Sequence, residues 1–197
     1  MRTYIPVLVL LLSAGVASAQ VAELGAFGGA HLVRNGDLGT FSGVETSLDD
    51  GWQLGFRLTL NSYRFFGHEL GYGYNRTTMK FGSGSGAAEQ GTAIHRGFYS
   101  FLAYATPEGS VIRPFAAGGG HFANYAYPGL SATSGGGSTK WGIHYGGGIK
   151  VRVTPIFGIR FDLRDYWNPK PFGSFGFENQ DGWIHHVQLS AGFSLLM

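Results

Sequence analysis

From His186 to Met197 the chain alternates without interruption up to its last residue. Val187, Leu189, Ala191, Phe193, Leu195 and Met197 fall on one face of an extended strand, and His186, Gln188, Ser190, Gly192 and Ser194 fall on the other, because successive strand side chains point to opposite sides. Soluble domains rarely end in this way. The pattern asks for two different surroundings at once, apolar on one side of the sheet and polar on the other.

Composition points in the same direction. Glycine supplies 34 of 197 residues, aromatic residues 15% and charged residues only 13%, whereas soluble domains carry about 25% charged residues. Mean hydropathy is nevertheless close to neutral, as happens when lipid-facing and bore-facing residues alternate and cancel in any window. The net charge of +2 is too small to argue for a nucleic-acid partner. With no cysteine, disulfides, lipoprotein acylation and thiolate metal sites are excluded. At the other end, Arg2, the apolar run from Val7 to Leu12 and the small-x-small triplet Ala17-Ser18-Ala19 read as a secretory signal peptide over residues 1–19, cleaved before Gln20. That apolar run is well short of the roughly 20 residues that a membrane helix needs. Residues 20–197 then form one domain.

Eight segments of that domain alternate at period two, close to the length a tilted membrane strand requires. They run Glu23–Val33, Trp52–Leu60, Phe66–Asn75, Ile94–Ala105, Ile112–Tyr125, Trp141–Val153, Phe157–Trp167 and Trp183–Leu196. An even number closes an antiparallel cylinder, so the fold expected is all-β, an eight-stranded antiparallel up-and-down transmembrane β-barrel. Short turns at Asn61–Arg64, Thr106–Ser110 and Thr154–Ile156 alternate with four longer loops, Arg34–Gly51, Arg76–Ala93, Ala126–Lys140 and Asn168–Gly182. Pro107 and Pro155 suit the tight turns, and Pro114 predicts a bulge near the start of the fifth segment. Trp52, Trp141, Trp167 and Trp183 all flank long loops and predict an aromatic girdle at one membrane interface. Tyr63, Phe65, Phe66, Tyr104 and Phe157 are candidates for the opposite girdle.

Charged residues decide which face is which, since a guanidinium in the lipid near the midplane costs about 2–4 kcal/mol. In the seventh segment this sends Phe157, Ile159, Phe161 and Leu163 outward and Arg160, Asp162 and Arg164 inward. The sixth sends Trp141, Ile143, Tyr145, Ile149, Val151 and Val153 outward and His144, Lys150 and Arg152 inward. In the second, Trp52, Leu54, Phe56, Leu58 and Leu60 point out, and Gln53, Arg57 and Thr59 point in. The third places Leu70, Tyr72 and Tyr74 outside and Glu69 inside. The fourth and fifth carry large apolar residues on both parities and stay unassigned. Glu23, Arg57, Glu69, Arg113, Lys150, Arg152, Arg160, Asp162 and Arg164 then share one narrow bore. About eight strands leave just enough room for side chains to fill, so a hydrogen-bonded charge network and a plugged lumen are expected.

Chemistry beyond this is sparse. No catalytic, cofactor or metal residue is assigned. The glycine runs are not followed by the Lys-Ser/Thr pair of a phosphate loop. The adjacent His185 and His186 project to opposite faces, and the other histidines lack ligand spacing. His144-Tyr145-Gly146-Gly147 is faintly similar to the histidine strand of lipid A deacylases, without a neighbouring serine. Asp49, Asp50, Glu178 and Asp181 read as loop charge, and the sequence from Gly82 to Gly86 and from Ser131 to Thr139 as pliable loop. The fourth loop, with Pro169, Pro171, Phe172, Phe175 and Phe177, is stiffer and more apolar, and is the loop expected to meet any partner.

Taken with the leader and the alternating loop lengths, the terminal combination of Ser190, Gly192, Phe193, Leu195 and Met197 is similar to the assembly signal of bacterial outer-membrane β-barrels. The chain resembles the OmpA-, OmpX- and OmpW-like small barrels over nearly all its mature length. Met197 stands where those proteins usually carry an aromatic residue, and no peptidoglycan-binding domain of the OmpA type is expected after the barrel. The resemblance implies an outer-membrane protein with a periplasmic amino terminus and exterior long loops. It further implies a monomer assembled by the barrel-assembly machinery, with outer-membrane lipids and lipopolysaccharide as neighbours. The role expected is non-enzymatic, in envelope integrity or surface interaction. The alternatives are a lipid A-modifying enzyme and a narrow channel for small solutes.

Overall fold

The computed structural model describes residues 21–83, 86–129, 137–173, 176–178 and 181–197. The signal peptide read over 1–19, part of the pliable runs (Gly84, Ser85 and 131–136) and Phe175 lie outside the described residues. Among the described residues eleven strands occur in chain order: β1 (Val21–Arg34), β2 (Asp37–Phe41), β3 (Val44–Leu48), β4 (Gly51–Tyr63), β5 (Phe66–Phe81), β6 (Ala88–Tyr104), β7 (Ile112–Ala126), β8 (Gly137–Thr154), β9 (Phe157–Pro169), β10 (Phe177–Glu178) and β11 (Trp183–Leu196). Eight of them, β1, β4, β5, β6, β7, β8, β9 and β11, pair with their neighbours in turn, every pair antiparallel. The ring closes where β1 meets β11, from Glu23 opposite Leu196 to Arg34 opposite His185. Closure removes the exposed edges that an open sheet would present. Each of the eight segments read from the sequence falls on one of these strands, but several strands run beyond it: β5 continues to Phe81 and β6 begins at Ala88, which takes up most of the second long loop, and β8 begins at Gly137 within the third.

The remaining three strands were not expected. Asn35 and Gly36 turn the chain after β1, and Ser42 and Gly43, both at positive φ, turn β2 back onto β3. The resulting hairpin pairs with the far end of β5, Thr46 opposite Phe81, and β10 adds to β2 through Phe177 opposite Phe41. The first and fourth long loops therefore form one extension of the sheet above the barrel.

Outside, Leu54, Phe56, Leu70, Ile143, Phe161, Leu163, Leu189 and Phe193 are all exposed, a continuous apolar belt far beyond the patches that soluble monomers tolerate. Inside, the buried positions of β9 are Gly158, Arg160, Asp162, Arg164, Tyr166 and Asn168. The two unassigned strands carry large apolar residues on both faces: Phe98, Leu102 and Tyr104 on β6 and Phe115 and Tyr125 on β7 are buried, while Tyr99, Phe101 and Phe122 face out. Phe115 shares a face with Arg113 because both belong to the bore. Tyr104 is thus a bore residue and does not join the girdle formed by exposed Tyr63, Phe65 and Phe66. Pro114 makes no bulge: the β7–β8 register runs unbroken from Ile112 to Ala126, and the Pro114 carbonyl accepts from the Ala105 N–H. Irregularities fall instead beside two of the short turns, between Leu60 and Tyr63 and between Arg152 and Thr154.

Candidate functional site in the bore

Room for large rings in so narrow a cylinder comes from glycine on the facing strands. Phe98 lies across Gly71, Phe27 across Gly55, and Phe115 across Gly148; a Cβ at any of the three would collide with the ring. Guanidinium groups lie against these rings in turn, Arg57 4.7 Å from the Phe27 centroid, Arg160 4.3 Å from Phe115 and Arg164 5.3 Å from Phe98. Such contacts are favourable where water is scarce.

Two carboxylates organise the middle of the bore. Glu69, fully buried, accepts from Arg160 Nη1 at 2.5 Å, from Arg164 Nη2 at 2.6 Å and from Thr59 Oγ1 at 2.8 Å. Asp162 accepts from Arg57 Nη1 at 2.8 Å and Arg160 Nη2 at 2.7 Å, with Arg164 at 3.2 Å. Three arginines from β4 and β9 thus bridge two carboxylates from β5 and β9. Toward the short turns a separate pair forms: Lys150 Nζ donates to Glu23 Oε2 at 2.8 Å and to the Tyr104 hydroxyl at 2.7 Å, and Asn61 donates to Glu23 Oε1. The structure therefore brings together seven of the nine charged residues picked from the sequence, in two groups. Arg113 and Arg152 make no ion pair among the described residues. Arg113 stacks 3.7 Å from the Tyr104 centroid, and Arg152 donates to the Gly109 carbonyl at the rim.

Toward the long loops the carboxylate–arginine pairs give way to histidine, tyrosine and amide side chains around one buried arginine. His31 and His186 share a hydrogen bond of 2.8 Å, and the Tyr125 hydroxyl meets His186 Nε2 at 2.6 Å and accepts from Asn168 Nδ2 at 2.8 Å. His121 reaches Asn168, and Gln188 donates to Asn75. Arg96, buried with them, lies over the Tyr166 ring at 4.3 Å. Sequence reading missed this cluster because each histidine is isolated in the chain, and only the barrel's closure brings β1, β7 and β11 to one level.

His144 does find a serine, on a different strand. Its Nε2 lies 2.8 Å from Ser100 Oγ. However, both residues are buried, Ser100 also accepts from Arg164 Nη1, and His144 Nδ1 has no acceptor to orient the ring. A nucleophile's base needs such an orienting partner and a route for substrate. No group of three or more metal-ligating side chains occurs among the described residues.

An apolar cluster, or cap, lies at the long-loop end. Phe172 and Phe177 from the fourth loop, Leu38 and Leu48 from the hairpin, and Val33, Met79, Ile94, Tyr125 and Ile184 from the strands form one buried cluster. The apolar residues of the fourth loop thus pack inward, which leaves Phe172 and Phe177 unavailable to an outside partner. Trp52, Trp141 and Trp183 are exposed toward that same end; Trp167 is half-buried, its indole N–H donated to Asp165 at 2.5 Å and its ring against His185. Asp49 and Asp50 are engaged by Lys80 and by Arg34 with the Val33 N–H. Of the terminal residues, Ser190 is buried in the bore and Gly192 sits against the Ala26 carbonyl, while Phe193, Leu195 and Met197 are exposed; the Met197 N–H donates to Ala22.

With the closed cylinder, its apolar exterior and its ionic interior in place, comparison with known proteins settles the family. A family model described as the outer membrane protein beta-barrel domain matches residues 7–194. The chain belongs to that family. Solved outer-membrane barrels share the fold at low identity. The N-terminal beta-barrel domain of Pseudomonas aeruginosa OprF is 15% identical with a TM-score of 0.53, over 90% of this chain and 97% of that one. For OprG of the same organism the values are 12%, 0.58, 90% and 95%. A major outer membrane protein of Thermus thermophilus gives 13%, 0.56, 91% and 100%. No curated protein matches the chain. The outer-membrane barrel family places the protein in the bacterial outer membrane, consistent with its belt of lipid-facing side chains.

Proposed function

We propose that this outer-membrane barrel is a non-enzymatic envelope protein whose lumen is plugged, and that its surface and rims act while its bore holds the shape. The observation that carries the reading is the bridge of Arg57, Arg160, Arg164, Glu69 and Asp162 across the middle of the cylinder. Side chains from β4, β5 and β9 are tied to one another there, beneath the apolar cap of Phe172 and Phe177. The short turns and the amino terminus face the periplasm, and the long loops face outward, in keeping with the loop-length asymmetry of bacterial barrels. Lipopolysaccharide and other outer-membrane lipids surround the exterior, with the exposed tryptophans at the headgroup level. The protein works as a monomer placed there by the barrel-assembly machinery.

Lipid A modification is the reading from a different class, favoured by the Ser100–His144 contact. Burial of both groups behind the strand wall, the unpaired His144 Nδ1 and the Arg164 bond to Ser100 all argue against it. A strain lacking the gene tests the two together. The expected result is raised sensitivity to detergent and bulky antibiotics with an unchanged lipid A mass spectrum, and normal resistance restored by the wild-type gene and by Ser100→Ala alike. A lipid A species lost with the gene and restored by the wild type but not by Ser100→Ala would overturn the reading.

A further inference from the structure

The bore ends at the short turns in an open cavity of about 360 Å³, within the range of roughly 300–1,000 Å³ typical of small-molecule sites. One wall is apolar, built from Val111, Ile156, Leu196 and Met197. The other carries Glu23, Lys150, Arg113, Arg152 and Glu108. Lys150 and Glu23 neutralise each other at 2.8 Å, which leaves the guanidiniums of Arg113 and Arg152 on the same wall as Glu108. Arg152 is occupied by the Gly109 carbonyl, a neutral acceptor.

Of the residues lining this cavity, Arg113 is the cation that the fold leaves unfinished. It is 6% exposed, yet its Nε and Nη2 have no acceptor. A guanidinium held out of water without an acceptor is costly. Glu108 does not supply one: no ion pair joins it to Arg113 among the described residues, and its own Oε1 is buried without a donor. Burial pushes the Glu108 carboxyl up, which weakens that counter-charge further. The cavity therefore combines one arginine short of an acceptor with a hydrocarbon wall.

We propose that this cavity binds an amphiphilic monocarboxylate, with the carboxylate on Arg113 and a short hydrocarbon chain along Ile156, Leu196 and Met197. A bare inorganic anion would leave the apolar wall wet, and a neutral amphiphile would leave Arg113 unpaired. An alkylammonium would meet two guanidiniums.

The test uses the full barrel in lipid nanodiscs, with hexanoate, hexanol and hexylammonium as probes and the methyl resonances of Ile156 and Met197 as the readout, against empty nanodiscs. Hexanoate should shift both methyls saturably, and hexanol should bind about tenfold more weakly, the equivalent of one lost charge-assisted hydrogen bond. R113Q should lose about the same factor for hexanoate and nothing for hexanol, and E108Q, which removes the opposing carboxylate, should tighten hexanoate. Heat-modifiable gel migration reports whether each variant folds; should R113Q fail, E108Q carries the test alone. Equal affinity for hexanol or hexylammonium, hexanoate binding unchanged in a folded R113Q, or hexanoate binding not tightened in E108Q would each overturn the proposal.

Discussion

Glu69 is the residue on which the bore network converges, because its two oxygens serve Arg160, Arg164 and Thr59 at once with no water-facing surface. Removing one partner of a buried ion cluster exposes the others to an uncompensated low-dielectric environment, at a cost of about 3–5 kcal/mol. Glu69→Gln is isosteric and still accepts one hydrogen bond, so it isolates the charge. Equilibrium urea unfolding in lipid vesicles, followed by tryptophan fluorescence, should show a loss of that size, whereas Glu178→Gln on the exposed fourth loop should change little. Partial recovery in Glu69→Gln combined with Arg164→Gln would show that the excess cation, and not lost packing, is the cause. That these charges point inward was legible in the sequence wherever a charged residue fixed the parity of its strand, as Arg160, Asp162 and Arg164 do on β9. It was illegible on β6 and β7, where Phe98 and Phe115 look like lipid-facing residues until Gly71 and Gly148 supply space for their rings inside.

Strands of a small barrel must approach each other closely, and Gly119 on β7 shows how little slack remains. A Cβ there would collide with the Tyr99 carbonyl of β6, an atom fixed by the ladder. Gly119→Ala should therefore cost about 1–3 kcal/mol, as overpacking does, seen as a smaller heat-modifiable fraction after refolding, while Gly86→Ala in the second long loop, which meets no neighbour, should refold into the barrel normally. The extension formed by β2, β3 and β10 depends on a different device. Asp37 accepts the Gly39 N–H at 2.8 Å and pairs with Lys170 at 3.0 Å, joining the hairpin to the fourth loop. The Gly39 N–H first, and then the Lys170 ammonium, hold the Asp37 carboxyl below its usual value of 3.8. A carboxyl lowered on folding adds stability above the unfolded value and loses it as pH falls through the folded one, so this clamp is complete at neutral pH and fails only below 3.8. Its contribution is small, because Asp37 is mostly exposed and exposed pairs are screened by solvent. Asp37→Asn at neutral pH should mimic acid, with faster hydrogen exchange in β2, β3 and β10 and no change in the barrel strands; uniform exchange in wild type and variant would show the clamp to be idle. The hairpin escaped sequence reading because Asp37–Leu48 is too short and too polar to stand out at period two, and its register comes from pairing with β5 far along the chain.

At the scale of the whole molecule, the fold was legible because one physical conflict, ionic groups and bulky apolar groups alternating in the same strand, has a closed barrel in lipid as its solution. What the bore does as a unit was less legible, since the proposed plug rests on cross-strand contacts such as Arg57 to Asp162 and on the packing of Phe172 in the apolar cluster. In the proposed plug two obstructions stand in series: the ionic bridge at mid-height and the apolar cap at the long-loop end. An ion must pass both, so opening either one alone should leave the barrel silent. Planar bilayer recordings should accordingly show no stable porin-like steps for the wild type, for Phe172→Ala, or for a variant in which Arg57, Arg160 and Asp162 are all replaced by Ser. Combining Phe172→Ala with that triple replacement should yield small discrete steps, provided the protein still shows heat-modifiable migration. Large steps from the unmodified barrel would refute the plug outright, and steps from the cap variant alone would place the whole barrier in the fourth loop.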